Sequence, residues 1–409
     1  MFLASLRTSA GAVTPLGRRT FSVAARSTAG LAPLDASTLT IERDSVSRKP
    51  PPKEELVFGK TFTPHMLEVD WSVDHGWKSP RIVPYQNLPM SPAAMCLHYG
   101  LECFEGMKAY KDDEGATRLF RPDCNMARLN DSLERLHMPD FDGEALIECM
   151  KELLKVDADW IPEGEGYSMY LRPTAIATDP FLGVASCSEV KLFVIMSPVG
   201  PYYAEGFAPV KLYADTENVR AWPGGVGNAK VGGNYGPTIG PAAAAQAKGC
   251  AQVLWLFEDP NDGEHYATEV GAMNIFFAIE KPEGGLELCT APLSKGDILP
   301  GVTRRSILEL ARGMGDVEVS EREVSMSELL TARDEGRLRE AFGAGTAAVI
   351  SPVKSILYKG EDIDFPTGED IGPLAKRMWD QLLGIQYGRI EHEWSVPVEA
   401  DEAPAAASN

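Results

Sequence analysis

The densest chemistry in the chain lies between Arg220 and Pro237, R-A-W-P-G-G-V-G-N-A-K-V-G-G-N-Y-G-P. Glycines crowd a single lysine there, Lys230, and Tyr235 follows five residues later. Such a stretch makes a poor helix or strand, since glycine costs backbone entropy and offers no side chain to pack. It suits a backbone that must turn sharply or pass close to a bound molecule. Two phosphate loops fail against it. The P-loop needs G-x-x-x-x-G-K-[ST], but Ala229 precedes Lys230 and Val231 follows it. The dinucleotide pattern begins at Gly225 and Gly227 and meets Lys230 where its last glycine should stand. A surface loop with a solvated lysine is the plain alternative. Trp222, Val226, Val231 and Tyr235 argue against it, because a lysine held among them loses solvation, which favours the neutral amine. A neutral amine is a nucleophile suited to Schiff-base chemistry.

The elements that must position this stretch fall into two groups. H-M-L-E-V-D-W alternates as a half-buried strand, and Y-S-M-Y-L-R-P-T and V-K-L-F-V-I-M-S-P-V-G also read as strands. Met126, Leu129, Leu133 and Leu136 fall at helical spacing, and E-A-L-I-E-C-M-K-E-L-L-K-V-D is a second amphipathic helix. This mixture predicts a smaller α+β domain over 35–200. P-Y-Y-A-E-G-F-A-P, 201–209, reads as a connector. A larger domain over 210–398 then holds K-L-Y-A-D, the lysine stretch and a helix that Gly249 stops. The strands A-Q-V-L-W-L-F and A-M-N-I-F-F-A-I-E, the helix R-R-S-I-L-E-L-A-R and the buried strand G-T-A-A-V-I-S-P-V follow. At 409 residues, two domains are expected on size alone.

Composition narrows the partners. The formal charge of −20 argues against nucleic acid, which needs clustered Lys and Arg. No apolar run approaches the roughly 20 residues of a membrane helix. Seven scattered cysteines show no C-x-x-C pair and no zinc spacing, so no metal site is expected and reduced thiols are. Residues 1–34 carry Arg7, Arg18, Arg19 and Arg26, no acidic residue, and many Ser, Thr and Ala, the composition of a mitochondrial transit peptide. Losing four positive charges and no negative ones would take the charge from −20 to −24. The tail 399–409 is low-complexity and reads as disordered.

G-G-V-G-N-A-K-V-G-G-N-Y-G-P resembles the cofactor-lysine segment of branched-chain amino acid aminotransferases, pyridoxal phosphate enzymes of fold type IV, and the likeness runs from about Phe58 to Trp394. It implies a two-domain α/β (α+β) fold of the D-amino acid aminotransferase-like type and a homodimer in the mitochondrial matrix. The implied reaction passes the amino group of leucine, isoleucine or valine to 2-oxoglutarate. Lys230 would carry the cofactor covalently and move the substrate proton. Glu269, in A-T-E-V-G-A-M-N, would partner the pyridine nitrogen, and Tyr235 the phenolic oxygen. The phosphate would meet Arg128, the amides of Val302 and Thr303, and the hydroxyl of Thr346. A helix N-terminus suits that anion, and L-P-G-V-T-R-R-S-I-L-E-L supplies one after Pro300 and Gly301 end a strand. Substrate positions fall on Phe58, Tyr99, Phe104, Tyr170, Arg172, Ala272 and Ala347, with Leu182 and Val184 reaching in from a partner copy. Two departures stand out: Ala272 replaces the threonine usual in animal members, and Ala348, Val349, Ile350 and Ser351 stand where mammalian members carry a redox C-x-x-C. D-amino acid aminotransferases, aminodeoxychorismate lyases and a non-catalytic binding protein of the same fold are the rivals.

Overall fold

The computed structural model describes residues 30–201 and 208–399. Residues 1–29 of the expected transit segment, 202–207 of the expected connector and 400–409 of the tail lie outside the described residues. Gly30–Leu34, grouped above with the transit segment, are part of the fold: Ala32 bridges Gly76 and Leu34 is buried.

The first lobe is built on a ten-stranded sheet. Its spatial order is Thr40–Ile41, Arg81–Pro84, His65–Ser72, Glu189–Val199, Ser168–Ala177, Met107–Lys111, Thr117–Phe120 and Ser395–Val398. Gly76–Trp77 pairs with His65–Ser72, and Glu102–Phe104 with Ser168–Ala177. Three helices belong to this lobe: α1 (Met95–Tyr99), α2 (Pro122–Arg135) and α3 (Gly143–Val156). Met126, Leu129 and Leu133 of α2 are buried as their spacing predicts, and Leu136 packs partly buried beside them. The strand His65–Ser72 departs from the half-buried expectation, since residues 65–69 are all buried. It runs inside the sheet, between Arg81–Pro84 and Glu189–Val199, and α3 packs on it. Its one acidic residue there, Glu68, is satisfied by Arg81, Gln86 and Lys191 at 3.1–3.2 Å. Apolar/polar alternation misreads such a strand because buried polar groups with partners look solvent-facing in sequence.

The second lobe holds nine strands. Six run in the order His265–Val270, Gln252–Glu258, Val210–Asp215, Val349–Tyr358, Leu338–Gly345 and Met273–Glu280, and the first also pairs with the last, closing a ring. Leu212, Leu256, Ile275 and Val353 cluster on one side of these strands. On the other side Phe276, Phe342 and Leu288 pack with α5 (Val302–Met314) and α7 (Pro373–Gln386), which follow α4 (Ile239–Ala247) and α6 (Met326–Asp334) in the chain. Gly249 takes φ +75°, the left-handed turn expected after α4. The strand before α5 ends at Thr290, not at Pro300 as expected, and a one-turn helix, Leu293–Lys295, fills the gap.

The final strand, Ser395–Val398, crosses back to pair with Thr117–Phe120 of the first sheet. The C-terminal segment therefore straps the lobes together, where the sequence reading assigned it to the second domain. Arg121 adds to the strap, with its guanidinium 4.1 Å over Trp394 and hydrogen bonds to Ser306 and Glu309 of α5.

Candidate active site

The lysine stretch lies between the lobes, pinned to the first. Ala229 and Val231 are buried in the first lobe's core. The Phe104 N–H donates to the Lys230 carbonyl at 3.1 Å, and Val231 bridges Cys103. The Lys230 N–H donates to Ser132 Oγ at 2.9 Å, and that hydroxyl donates to the Arg128 carbonyl one turn earlier in α2. Asn234 donates to the carbonyls of Val226 and Ala229, closing the loop on itself. With the backbone fixed, Lys230 Nζ reaches Tyr235 Oη at 3.0 Å and stands 4.8 Å over the Phe104 ring. The solvated-loop alternative does not hold.

Two buried ion pairs lie near the lysine, whose charge acts on the carboxylate of each. In one, Glu269, 2% exposed, leaves the strand His265–Val270 opposite Asn274. Its Oε1 accepts from the Leu299 N–H at 3.2 Å and from Asn274 Nδ2 at 3.3 Å. Its Oε2 lies 2.6 Å from Arg220 Nη1 without a directed hydrogen bond. Burial pushes the Glu269 carboxyl up to about 7, against the pull of Arg220.

In the other, Arg128 is buried, not an exposed helix arginine. Its Nε and Nη2 grip the two oxygens of Glu105 at 2.7 and 2.8 Å, and its Nη1 donates to the Pro300 carbonyl at 3.0 Å. Glu105 is fully buried and also accepts from Asn125 Nδ2 at 2.8 Å and from the Gly106 N–H at 3.1 Å. Burial raises its carboxyl, but the Arg128 charge and these hydrogen bonds outweigh that and leave it below the ordinary range. Next to Pro300, α5 begins at Val302 with Gly301 as N-cap and no side-chain cap on its free amides. A side-chain carbon at Gly301 would collide with Asn274 Oδ1, so only glycine allows the carboxylate end and the helix end to come this close.

Thr346 and Ala347 form the turn between Leu338–Gly345 and Val349–Tyr358, followed by Val349 at φ +60°. Lys108 Nζ crosses from the first lobe and donates to the Ala347 carbonyl at 2.9 Å. Burial pushes this lysine down to about 8. Cross-strand from Lys108 stands Tyr170, whose ring meets Phe58 at 4.9 Å. Arg172 Nη2 donates to Tyr170 Oη at 2.8 Å and stacks over Phe104 at 4.8 Å, while its buried Nε has no hydrogen-bond partner. Gly106 again admits no side chain, since a carbon there would run into Tyr170 Oη.

Lys230, Tyr235, Phe104, Tyr170, Arg172 and Phe58 thus form one contacting group. Tyr99, Leu182 and Val184 stand apart from it in exposed positions, with Phe181 beside them. Ala272 is exposed in the turn after Glu269, and Trp255 Nε1 fixes that turn through the Gly271 carbonyl at 2.9 Å. Glu105, Asn125, Ser132, Arg220, Asn274 and Lys108 were not singled out from sequence. Glu105 offered one signal, an acidic residue inside the apolar run L-E-C-F-E-G-M. None of the seven cysteines, all among the described residues, is in a disulfide, and five are buried. Among the described residues no cluster fits a metal ion, and no helix is long and apolar enough to cross a membrane.

Residues 102–356 match the model of the family described as amino-transferase class IV, a span that holds both ion pairs and the lysine. The chain belongs to this family. Within it, the chain is 51% identical to a branched-chain-amino-acid aminotransferase of Monosiga brevicollis over 385 residues, covering 94% of this chain and 97% of that one. It is 50% identical to the mitochondrial enzyme of that name from Rattus norvegicus (86% and 88% covered) and 48% identical to the cytosolic one from Mus musculus (88% and 92%). The fold matches the crystal structure of the T.th. branched-chain amino acid aminotransferase with pyridoxamine 5'-phosphate, with TM-score 0.63 at 26% identity, covering 81% of this chain and 98% of that one. The fold type IV expectation is met.

Proposed function

We propose that this protein transfers the amino group of L-leucine, L-isoleucine or L-valine to 2-oxoglutarate, with pyridoxal phosphate as cofactor. The observation that carries the reading is Lys230 Nζ at 3.0 Å from Tyr235 Oη, within the aromatic group and near the Glu269–Arg220 and Glu105–Arg128 pairs. The donors fit the cofactor. Glu269 Oε2 is buried without a hydrogen-bond donor, which suits a protonated ring nitrogen. Arg128 and the uncapped amides of Val302 and Thr303, with the Thr346 hydroxyl, suit a phosphate. Tyr235 suits the phenolic oxygen.

When bound, pyridoxal phosphate supplies the electron sink that makes an amino acid's α-proton removable. Lys230 Nζ takes that proton, and Tyr235 Oη keeps the amine oriented toward the α-carbon. Phe58, Phe104 and Tyr170 exclude water and favour an aliphatic side chain. The unpartnered Nε of Arg172, with Tyr170 Oη, is a donor set for the distal carboxylate when glutamate takes the same place. The amides of Ala272 and Ala347 take the α-carboxylate; a backbone N–H serves whether the residue is alanine or threonine.

The protein works as a homodimer, in which exposed Leu182 and Val184 (66% and 83%) and Tyr99 close the pocket of the partner copy. The two lobes act as the smaller and larger domains, 35–200 and 210–394, with Ser395–Val398 returning to the sheet of the smaller one. The matrix location rests on the composition of residues 1–34, since relatives named mitochondrial and cytosolic match about equally well.

The test is steady-state turnover on a panel of L- and D-amino acids with 2-oxoglutarate, for wild type and Lys230→Ala. L-leucine, L-isoleucine and L-valine should lead the panel, and the variant should fold but lose turnover of all three. Preference for D-amino acids, or leucine turnover by Lys230→Ala within tenfold of wild type, would overturn the reading.

A further inference from the structure

Arg220 opens the glycine-rich stretch and has no role in the reading above. Its side chain is 4% exposed, and its Nη1 lies 2.6 Å from Glu269 Oε2, which is itself buried. Neither atom has a hydrogen-bond partner of proper geometry, so the contact is electrostatic and leaves Oε2 able to accept a directed bond from elsewhere. The other oxygen of Glu269 is already held by Leu299 and Asn274. Around this carboxylate the charges are Arg220 in contact, then Lys230 from the same glycine-rich stretch, Asp297 opposing them, and Arg304 from α5. Arg304 is committed to the Ala291 carbonyl and Glu321, which leaves Arg220 as the cation in contact with Glu269. Burial outweighs the pull of Arg220 at Glu269 and pushes its carboxyl up to about 7, where a neighbouring charge decides which atom holds a proton.

We infer that Arg220 is a positioning residue for transamination: its charge keeps Glu269 ionised, so the proton between this carboxylate and a ring nitrogen on Oε2 rests on the nitrogen. The inference rests on the reading of Glu269 as partner of the cofactor's ring. Two forms compete across one hydrogen bond, carboxylate with N–H⁺ and neutral carboxyl with bare N. A guanidinium in contact with the carboxylate favours the first form. It also opposes positive charge on the ring, but the carboxylate is in direct contact with it at 2.6 Å, and a ring bonded through that carboxylate would be farther off and feel it less. Arginine suits the task because it stays charged when buried. A ring that keeps its proton is the better electron sink, so the charge of Arg220 reaches the reaction through Glu269.

The experiment uses holoenzyme loaded with cofactor labelled with ¹⁵N in the ring, read by NMR, with kcat, KM and cofactor content measured on the same samples. Wild type should show a protonated ring nitrogen from pH 7 to 9. Arg220→Gln should retain cofactor but move the ¹⁵N signal to the unprotonated position. Its kcat should fall about a hundredfold, the scale of losing one preorganised electrostatic contact, with KM for leucine within threefold. Arg220→Lys should recover most of the signal and rate. A structural strap alone would alter cofactor content or thermal midpoint and leave the ¹⁵N position of the bound fraction unmoved, which would overturn the inference. If Arg220→Gln does not fold, wild type and Arg220→Lys decide: a ring nitrogen protonated in both at pH 7.5 supports the inference, and a bare one in either overturns it. Glu269→Gln separates the two levels. An unmoved signal there removes the ring-partner reading and the inference with it, whereas a moved signal there and none in Arg220→Gln removes only the role of Arg220.

Discussion

Replacing Glu105 by glutamine should destabilise the protein without its cofactor far more than the protein with it. Glu105 is fully buried and receives four donors: Arg128 Nε and Nη2, Asn125 Nδ2 and the Gly106 N–H. Glutamine keeps the shape, and its carbonyl in the place of Oε2 retains the last three. Its amide group must then face Arg128 Nε, donor against donor, and the guanidinium is left buried without a counter-ion. Removing one partner of a buried pair costs about 3–5 kcal/mol. We take the lower figure, because three hydrogen bonds survive, and about 3 kcal/mol is roughly 6–12 °C for a lobe of this size. A phosphate beside Arg128 would return the missing negative charge, so inorganic phosphate or pyridoxal phosphate should raise the melting temperature more in the variant than in wild type. The pH profile has a defined sign. Glu105 titrates below the ordinary range in the folded protein, so its contribution is complete above the unfolded value of about 4.3 and fades as pH falls through the folded value. The gap between variant and wild type should therefore be flat near neutrality and close only in acid. Thermal melts of apo and loaded protein between pH 4 and 8 make the measurement. The double change Glu105→Met with Arg128→Met should restore stability, since apolar replacement of both partners is near neutral, while abolishing the phosphate response. An apo Glu105→Gln melting point within 1 °C of wild type would refute the reasoning, because Arg128 would then not depend on its carboxylate.

Lys108 sets a second pH dependence with the opposite origin. Burial lowers it to about 8 in the folded protein against about 10.4 unfolded, so the unfolded chain binds more protons between those values and stability should rise with pH across that window. Urea midpoints from pH 7 to 10 should show this rise in wild type and lose it in Lys108→Met; equal slopes would rule out the lysine as its source. Fused to a fluorescent reporter, residues 1–34 should direct import into mitochondria, and diffuse cytosolic signal would remove the localisation reading.

Lys230 and Tyr235 were legible because the loop that holds them is local: its glycines, its apolar neighbours and the five-residue spacing all lie within one short segment. Helices α2 and α3 were legible for the same reason, their buried faces being written at helical spacing. Arg128 looked like any helix arginine, since its carboxylate is 23 residues away, between the strands Glu102–Phe104 and Met107–Lys111. Arg220 looked like the start of a loop, since its partner Glu269 lies far along the chain, across two strands of the second lobe. The return of Ser395–Val398 to the first sheet was hidden by the long separation from its partner strand, Thr117–Phe120. What sequence could not reveal is long-range pairing of buried charge, where neither partner's neighbours carry a pattern.

That hidden part follows one physical rule at both ends of the site. A buried charge needs an opposite charge, yet a ligand-binding charge must keep capacity to spare. Arg128 gives two donors to Glu105 and one to Pro300 out of the five a guanidinium has, leaving two for an anion. Glu269 spends one oxygen on Leu299 and Asn274 and holds the other against a guanidinium that does not hydrogen-bond to it. One pair therefore offers donors and the other an acceptor, with Lys230 near both. A ligand carrying phosphate at one end and a basic ring nitrogen at the other satisfies both, whereas a phosphate alone leaves Glu269 unmet and a simple amine leaves Arg128 unmet. In the proposed reading the lysine adds a demand for an aldehyde, and this threefold demand is why the proposed cofactor fits the chain better than either charged pair would suggest alone.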